Sequence, residues 1–131
     1  MRALALTAGL TFLADQALKW YVVVALDLAN RLFVEVWPGL VQLTLALAIC
    51  GWVVLWSRSE AGNTPFQIGA GLLVGGALGN VIDRVRWGAV ADFLNVTCCG
   101  WVNPWAFNIA DAAIFLGAVA LILTAGAKKR A

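Results

Sequence analysis

Residues 69–93 read GAGLLVGGALGNVIDRVRWGAVADF, an apolar, glycine-rich run that ends abruptly in acids and arginines. Gly71, Gly75 and Gly79 recur every four residues, which on a helix makes a smooth ridge along which another helix can approach closely. Asp83 continues that ridge, while Gly76, Asn80 and Arg84 line the neighbouring one. Such a helix buries its small-residue faces and delivers Asn80, Asp83 and Arg84 at its end, facing protein. Beyond it, Asp92 sits between Ala91 and Phe93 in an otherwise apolar stretch. The alternation in AVADFLNV (89–96) predicts a short strand near a membrane surface, with Asp92 on the face opposite Phe93.

The rest of the chain explains why that helix is so apolar. Of 131 residues, 63% are apolar and 12% charged, with a mean hydropathy of +0.88. Soluble domains average roughly 45–50% apolar and about 25% charged residues. A chain this short cannot hide so much apolar surface in its own core, so a bilayer is the expected solvent. The fold class expected is an all-α integral membrane protein: a single domain, residues 1–131, with spans at about 3–29, 40–56, 66–82 and 107–126. The first span is interrupted by Asp15, Lys19 and Asp27, and Arg2 before an apolar stretch also fits a secretory signal peptide. Hydrophobicity resumes in WYVVVAL (20–26), which favours the membrane helix.

Loop charge orients these spans. Arg2, Arg58 and Lys128–Arg130 fall on one side, Arg31, Arg84 and Arg86 on the other. The richer side is expected in the cytoplasm, with both termini. Segments 30–39 and 83–106 then face outward, and their Pro38, Pro104, Trp37, Trp87, Trp101 and Trp105 suit a membrane–water interface.

Several functions are excluded or disfavoured. The chain has no histidine, the commonest metal ligand and neutral-pH base. Cys50 lies in an apolar run, and the adjacent Cys98 and Cys99 match no zinc spacing; a disulfide is not the expectation. Neither a metal nor a cofactor is called for. A net charge of +2 gives no footing for nucleic acid. There is no P-loop, GAGLLV (69–74) lacks the third glycine of a dinucleotide fingerprint, and Asn95-Val96-Thr97 is discounted as a chance glycosylation match.

Ionisable groups in or beside a span are costly and point to function by default. Asp15 and Lys19 lie four apart, acid first, and form either an intrahelical pair whose lysine snorkels outward or a polar contact for substrate. Asp83, Arg84 and Arg86 read equally as an interfacial charge cluster. Asn108 and Asp111 have the spacing of a helix cap, with the acid satisfying free N–H groups. Asp92 has no capping pattern and no neighbouring base. Two carboxyls from separate elements near one interface suggest aspartic-protease chemistry, in which one keeps a proton while the other acts as base. Without histidine, or a Ser or Cys with a base partner, this is the hydrolytic machinery the chain could assemble. A small transporter or proton-relay subunit is the rival from another class; it calls for acids deep in several spans, and here they cluster at one end.

ADQALKWYVV (14–23), GGALGNVIDRVRWGAVADF (75–93) and FNIADAAI (107–114) together resemble the lipoprotein signal peptidases, the signal peptidase II family. The resemblance covers the first span and nearly all of the chain from residue 67 onward. It implies a monomeric bacterial inner-membrane aspartic endopeptidase with four spans and a small periplasmic β-rich segment. Its substrate is a diacylglyceryl-modified prolipoprotein, cut just before the modified cysteine, with membrane lipid as the other partner. The family's catalytic aspartates fall on Asp92 and Asp111. Its supporting and substrate-binding residues fall on Asp15, Lys19, Asn80, Asp83, Arg84 and Asn108. Two departures stand out. The family's N-x-G-x-A-F segment is missing where Thr44 runs directly into LALAICGWVVLW, as after a deletion between Thr44 and Leu45, and Trp105 replaces the proline of F-P-x-F-N. The first departure motivates an alternative reading, a truncated, non-catalytic relative that binds lipidated peptides.

Overall fold

The computed structural model describes residues 1–25, 39–95, 99 and 106–126. Arg31, Trp37, Pro38, Cys98, Trp101, Pro104, Trp105 and the Lys128–Arg130 tail lie outside the described residues, as does most of the outward segment 30–39.

Helix α1, Arg2–Trp20, runs into a π-helical turn at Tyr21–Ala25. Helix α2 is Gly39–Ser59, α3 is Thr64–Trp87 and α4 is Ile109–Thr124. α2 and α3 exceed the expected spans because polar ends continue the helix past the apolar stretch. Asn63 caps α3 by accepting from the Phe66 N–H at 3.2 Å, and Pro65 sits in the first turn, where no donor is lost. At its other end Gly88 takes a left-handed backbone (φ 74°) that ends the helix and turns the chain. At 24 residues α3 is about 36 Å long. α2 and α3 are each long and apolar enough to cross a membrane, whereas α4 is apolar but shorter, at 16 residues.

α3 is the centre of the bundle: 72% of its apolar stretch is buried, against 17% for α2. The glycines explain how its neighbours come so close. A Cβ on Gly75 would stand 2.5 Å from the Ala8 carbonyl oxygen of α1, and one on Gly76 would stand 2.5 Å from the Ala110 carbonyl oxygen of α4. Gly71 and Gly79 extend the α1 contact, and Gly69 meets α4 beside Gly117. At the far end from the polar cluster, Phe66, Val53, Ala70, Leu73 and Leu121 join one buried core, with Trp56 edge-on to Phe66 at 4.9 Å. There Asn63 also donates to the Thr124 carbonyl (2.7 Å) and to Glu60 (3.1 Å), tying the α2–α3 turn to the end of α4. Outward faces stay apolar: Leu10, Leu13, Leu45, Trp52, Phe115 and Ile122 are all exposed.

Among the described residues, the strand expected around Asp92 is present as isolated bridge positions, Leu94 pairing antiparallel with Phe107 through reciprocal N–H···O bonds of 2.8 Å. Cys99 is disulfide-bonded, contrary to the sequence expectation, and adopts φ 58°.

Candidate active site

Four elements bring their polar residues to one end of the bundle. α1 supplies Asp15, Gln16 and Lys19; the last two turns of α3 supply Asn80, Asp83 and Arg84. The extended segment after Gly88 carries Asp92, and the start of α4 carries Asn108 and Asp111. The Leu94–Phe107 bridge holds the Asp92 segment against the residue that precedes Asn108. Ala91 adds a weak contact, its N–H 3.5 Å from Asp83 Oδ2.

Lys19 organises the interior of this cluster. Its Nζ lies 2.8 Å from Asp15 Oδ2 and 2.6 Å from Asp83 Oδ2, and donates to Asn80 Oδ1 at 3.1 Å. Three acceptors match the three N–H groups of an ammonium. Lys19, Asp15 and Asp83 are all fully buried, so the lysine does not snorkel as the simplest sequence reading allowed. Burying charge is tolerated only with such complete pairing. Asp15 reaches further: its Oδ1 accepts the Ala110 N–H (3.1 Å), so α1 supplies a second cap for α4. Gln16 donates to Asp83 Oδ1 at 3.0 Å, with longer contacts of 3.3 Å to the Gly79 carbonyl and Asp15 Oδ2.

This framework sets the orientation of two amides. A lysine can only donate, so the Asn80 atom facing it must be oxygen, leaving Nδ2 to donate to Asp111 Oδ1 (2.8 Å). Asn108 is the N-cap of α4, with Oδ1 accepting the Asp111 N–H at 3.0 Å. Its Nδ2 is thereby aimed at Asp92 Oδ1 (2.7 Å), with a longer contact to Asn80 Oδ1 (3.3 Å). Asp111 completes the capping box by accepting the Asn108 backbone N–H on Oδ2 (3.2 Å). The cap expected from spacing is present, and the same carboxyl faces the cavity.

That cavity, about 80 Å³, is lined by Asn80, Arg84, Asp92 and Asp111 with Gly88–Val90. It has room for water, which needs on the order of 10–15 Å³ by this measure. Burial, and then the negative charge of Asp111, push the Asp92 carboxyl above its ordinary 3.8; the Asn108 hydrogen bond and the charges of Lys19 and Arg84 pull the other way without prevailing. Arg84 borders the cavity with Nε donating to Gln42 Oε1 (3.1 Å) and Nη1 to the Asn80 carbonyl (3.0 Å). Among the described residues no group of three His, Cys, Asp or Glu side chains could hold a metal.

All eight candidates, Asp15, Lys19, Asn80, Asp83, Arg84, Asp92, Asn108 and Asp111, join this one network. Gln16 and Gln42 belong to it too and were not singled out from sequence. Their signal is an uncharged amide in an apolar helix, which a search for ionisable groups passes over.

The architecture is that of a known membrane-enzyme fold. A solved bacterial membrane enzyme, determined by the in meso method at 2.3 Å resolution, superposes with a TM-score of 0.78 at 24% identity, over 94% of this chain and 87% of that one. The sequence profile described as signal peptidase (SPase) II matches residues 28–126, and the chain belongs to that family. A lipoprotein signal peptidase of Methylobacterium radiotolerans is 49% identical over 84 residues, 64% of this chain and 47% of the relative. In such matches the chain spans about half the length of the curated relative. Another, from Methylobacterium sp. strain 4-46, is 34% identical over 140 residues, 89% of this chain and 84% of its own length. That match is longer than this 131-residue chain, so the relative carries internal residues with no counterpart here.

Proposed function

We propose that this protein is an aspartic endopeptidase that removes the signal peptide from diacylglyceryl-modified prolipoproteins in the bacterial inner membrane. The observation that carries this reading is the water-sized cavity shared by Asp92 and Asp111, with each carboxyl held by an oriented asparagine amide. Family membership supplies the substrate class. Residues 1–131 form one membrane domain acting as a monomer among lipids, with α1, α2, α3 and α4 as its four spans. The termini lie in the cytoplasm, the site lies near the periplasmic face, and the extended chain after Gly88 faces outward. The loop-charge asymmetry and the apolar outward faces support that placement.

The chemistry follows from the two carboxyl environments. Asp92, buried beside a second carboxyl, is the group inclined to keep a proton and to donate it to the scissile carbonyl oxygen. Asp111 accepts at both oxygens from fixed donors and so presents lone pairs to a water in the cavity. Asp111 takes a proton from that water as its oxygen bonds to the carbonyl carbon, giving a tetrahedral diol. Collapse of the diol breaks the C–N bond; the proton on Asp111 passes to the leaving nitrogen, and Asp92 regains its own. Asp15, Lys19 and Asp83 act through Asn80 and the start of α4.

Purified Asp92→Asn and Asp111→Asn proteins should each insert and accumulate normally, yet lose cleavage of a diacylglyceryl-modified peptide by at least about a hundredfold. Activity retained in either variant removes the assignment. A second reading, a non-catalytic relative that binds lipidated peptides, draws on the internal residues this chain lacks; binding without turnover by the unaltered protein would favour it.

A further inference from the structure

Gln42 stands in the first turn of α2, between Val41 and Leu43, where the neighbouring side chains are apolar. A primary amide in such a helix is unfavourable unless its polar atoms are used. Its Oε1 accepts from Arg84 Nε at 3.1 Å, and this bond connects α2 to the cavity of the aspartates.

The geometry at Arg84 shows what the bond does. On its own helix the guanidinium has one anchor, the Asn80 carbonyl four residues back. A long side chain held at one atom of its planar head can still swing about that contact. The Gln42 bond fixes the head at a second atom, from a different helix, so the planar fork no longer swings about a single contact. Five N–H groups are available on the guanidinium, two are used by these anchors, and Arg84 lines the cavity together with Asp92 and Asp111.

From these contacts we infer that Gln42 is a positioning residue for the peptidase reaction: it holds the Arg84 guanidinium in the plane that presents its remaining N–H groups to the peptide in the cavity. The inference rests on the peptidase reading for its substrate, and on the Arg84 geometry for its mechanism. An amide suits the task because its oxygen accepts without adding a third carboxylate beside Asp92 and Asp111. Its position on the least buried helix also gives α2 a role at the site, which the α2–α3 packing near Phe66 does not provide.

A double-mutant cycle separates this role from a structural one. Gln42→Ala, Gln42→Leu, Gln42→Glu, Arg84→Ala and the double variant Gln42→Ala/Arg84→Ala are purified, and their melting temperatures compared. Two readouts follow: kcat/KM on a diacylglyceryl-modified peptide, and Kd for a non-cleavable analogue of that peptide. Gln42→Ala and Gln42→Leu should each lose about tenfold in kcat/KM and in affinity, the scale of one hydrogen bond to a charged group. Gln42→Glu, which keeps the acceptor but adds a carboxylate near the aspartates, should lose less affinity than Gln42→Ala. The double variant should match Arg84→Ala, because Gln42 acts through that arginine. Wild-type behaviour of Gln42→Ala and Gln42→Leu, or effects that multiply in the double variant, would overturn the inference. If the unaltered protein binds the analogue but cuts nothing, the peptidase reading fails while the affinity cycle still decides the role of Gln42. If it neither binds nor cuts, both fall.

Discussion

At the level of single residues, Asp92 sets stability against function. Its carboxyl is half-buried beside Asp111, and burial first, then that second charge, raise it above the ordinary 3.8. A raised folded-state value means the protonated form suits the fold. Its stabilising contribution is whole below the ordinary carboxylate range and is lost as pH climbs through the folded value. Asp92→Asn keeps the shape and removes the charge, so the inactive variant should melt at a higher temperature than the parent at neutral pH. The two melting curves should converge as the pH falls below the ordinary carboxylate range; thermal scans across pH check this, and a parent more stable at neutral pH contradicts it. By spacing, Asp92 is an acid with no capping pattern and no neighbouring base; the fold gives its carboxyl the Asn108 amide as a donor. Asp111 is different: spacing gave it a cap role, and the fold gives it that role and a face on the cavity at once. A helix N-terminus that points into a site makes the two uses compatible, since the cap engages Oδ2 and leaves Oδ1 to Asn80.

Among the elements, α3 decides the architecture. Its glycine ridge was legible because close helix approach requires small residues at a four-residue repeat, a property of the sequence itself. What the repeat could not say is that two ridges serve two partners, Gly71, Gly75 and Gly79 toward α1 and Gly69 and Gly76 toward α4. Gly75→Ala drives a methyl into the Ala8 backbone, which cannot rotate away as a side chain would. It should cost about 1–3 kcal/mol, the usual scale of overpacking, and lower activity by moving Lys19 from Asn80. Gly9→Ala, with nothing within 4 Å of the new methyl, should be neutral or stabilise by up to about 1 kcal/mol through helix propensity. Denaturation midpoints of the pair in detergent test the contrast, and equal losses would sink it. The expected strand fared differently. Alternation in AVADFLNV pointed to an extended chain, and among the described residues the segment pairs with Phe107 through Leu94, because pairing needs a partner strand that local pattern does not supply.

Over the whole molecule, Asp15, Lys19, Asp83, Arg84, Asp92 and Asp111 gather at one end of the bundle, while the far end joins an aromatic and aliphatic core to the contacts of Asn63, Glu60 and Gln67. The gathering of the acids at one end fits the proposed peptidase, whose substrate would keep its acyl chains in the bilayer while its cleavage site meets water. The proposed orientation, with both termini in the cytoplasm, predicts that a fluorescent protein fused after Ala131 should mature and fluoresce, and that alkaline phosphatase fused at the same point should stay inactive. Active phosphatase there would reverse the orientation.

By itself, the sequence determined that this chain is a helical protein with an apolar exterior, that α3 packs through small residues, and that the acids worth testing are Asp92 and Asp111. Hydropathy, periodicity and the motif strings are short-range properties, and each is written in consecutive residues. Only the tertiary structure decided which group faces which: that Lys19 turns inward to three acceptors, that it thereby orients the Asn80 amide toward Asp111, and that Asn108 is turned toward Asp92. A hydrogen bond depends on angle and distance between elements that meet only after the helices pack, so residues such as Gln16 and Gln42, silent in the sequence, become part of the site through their positions.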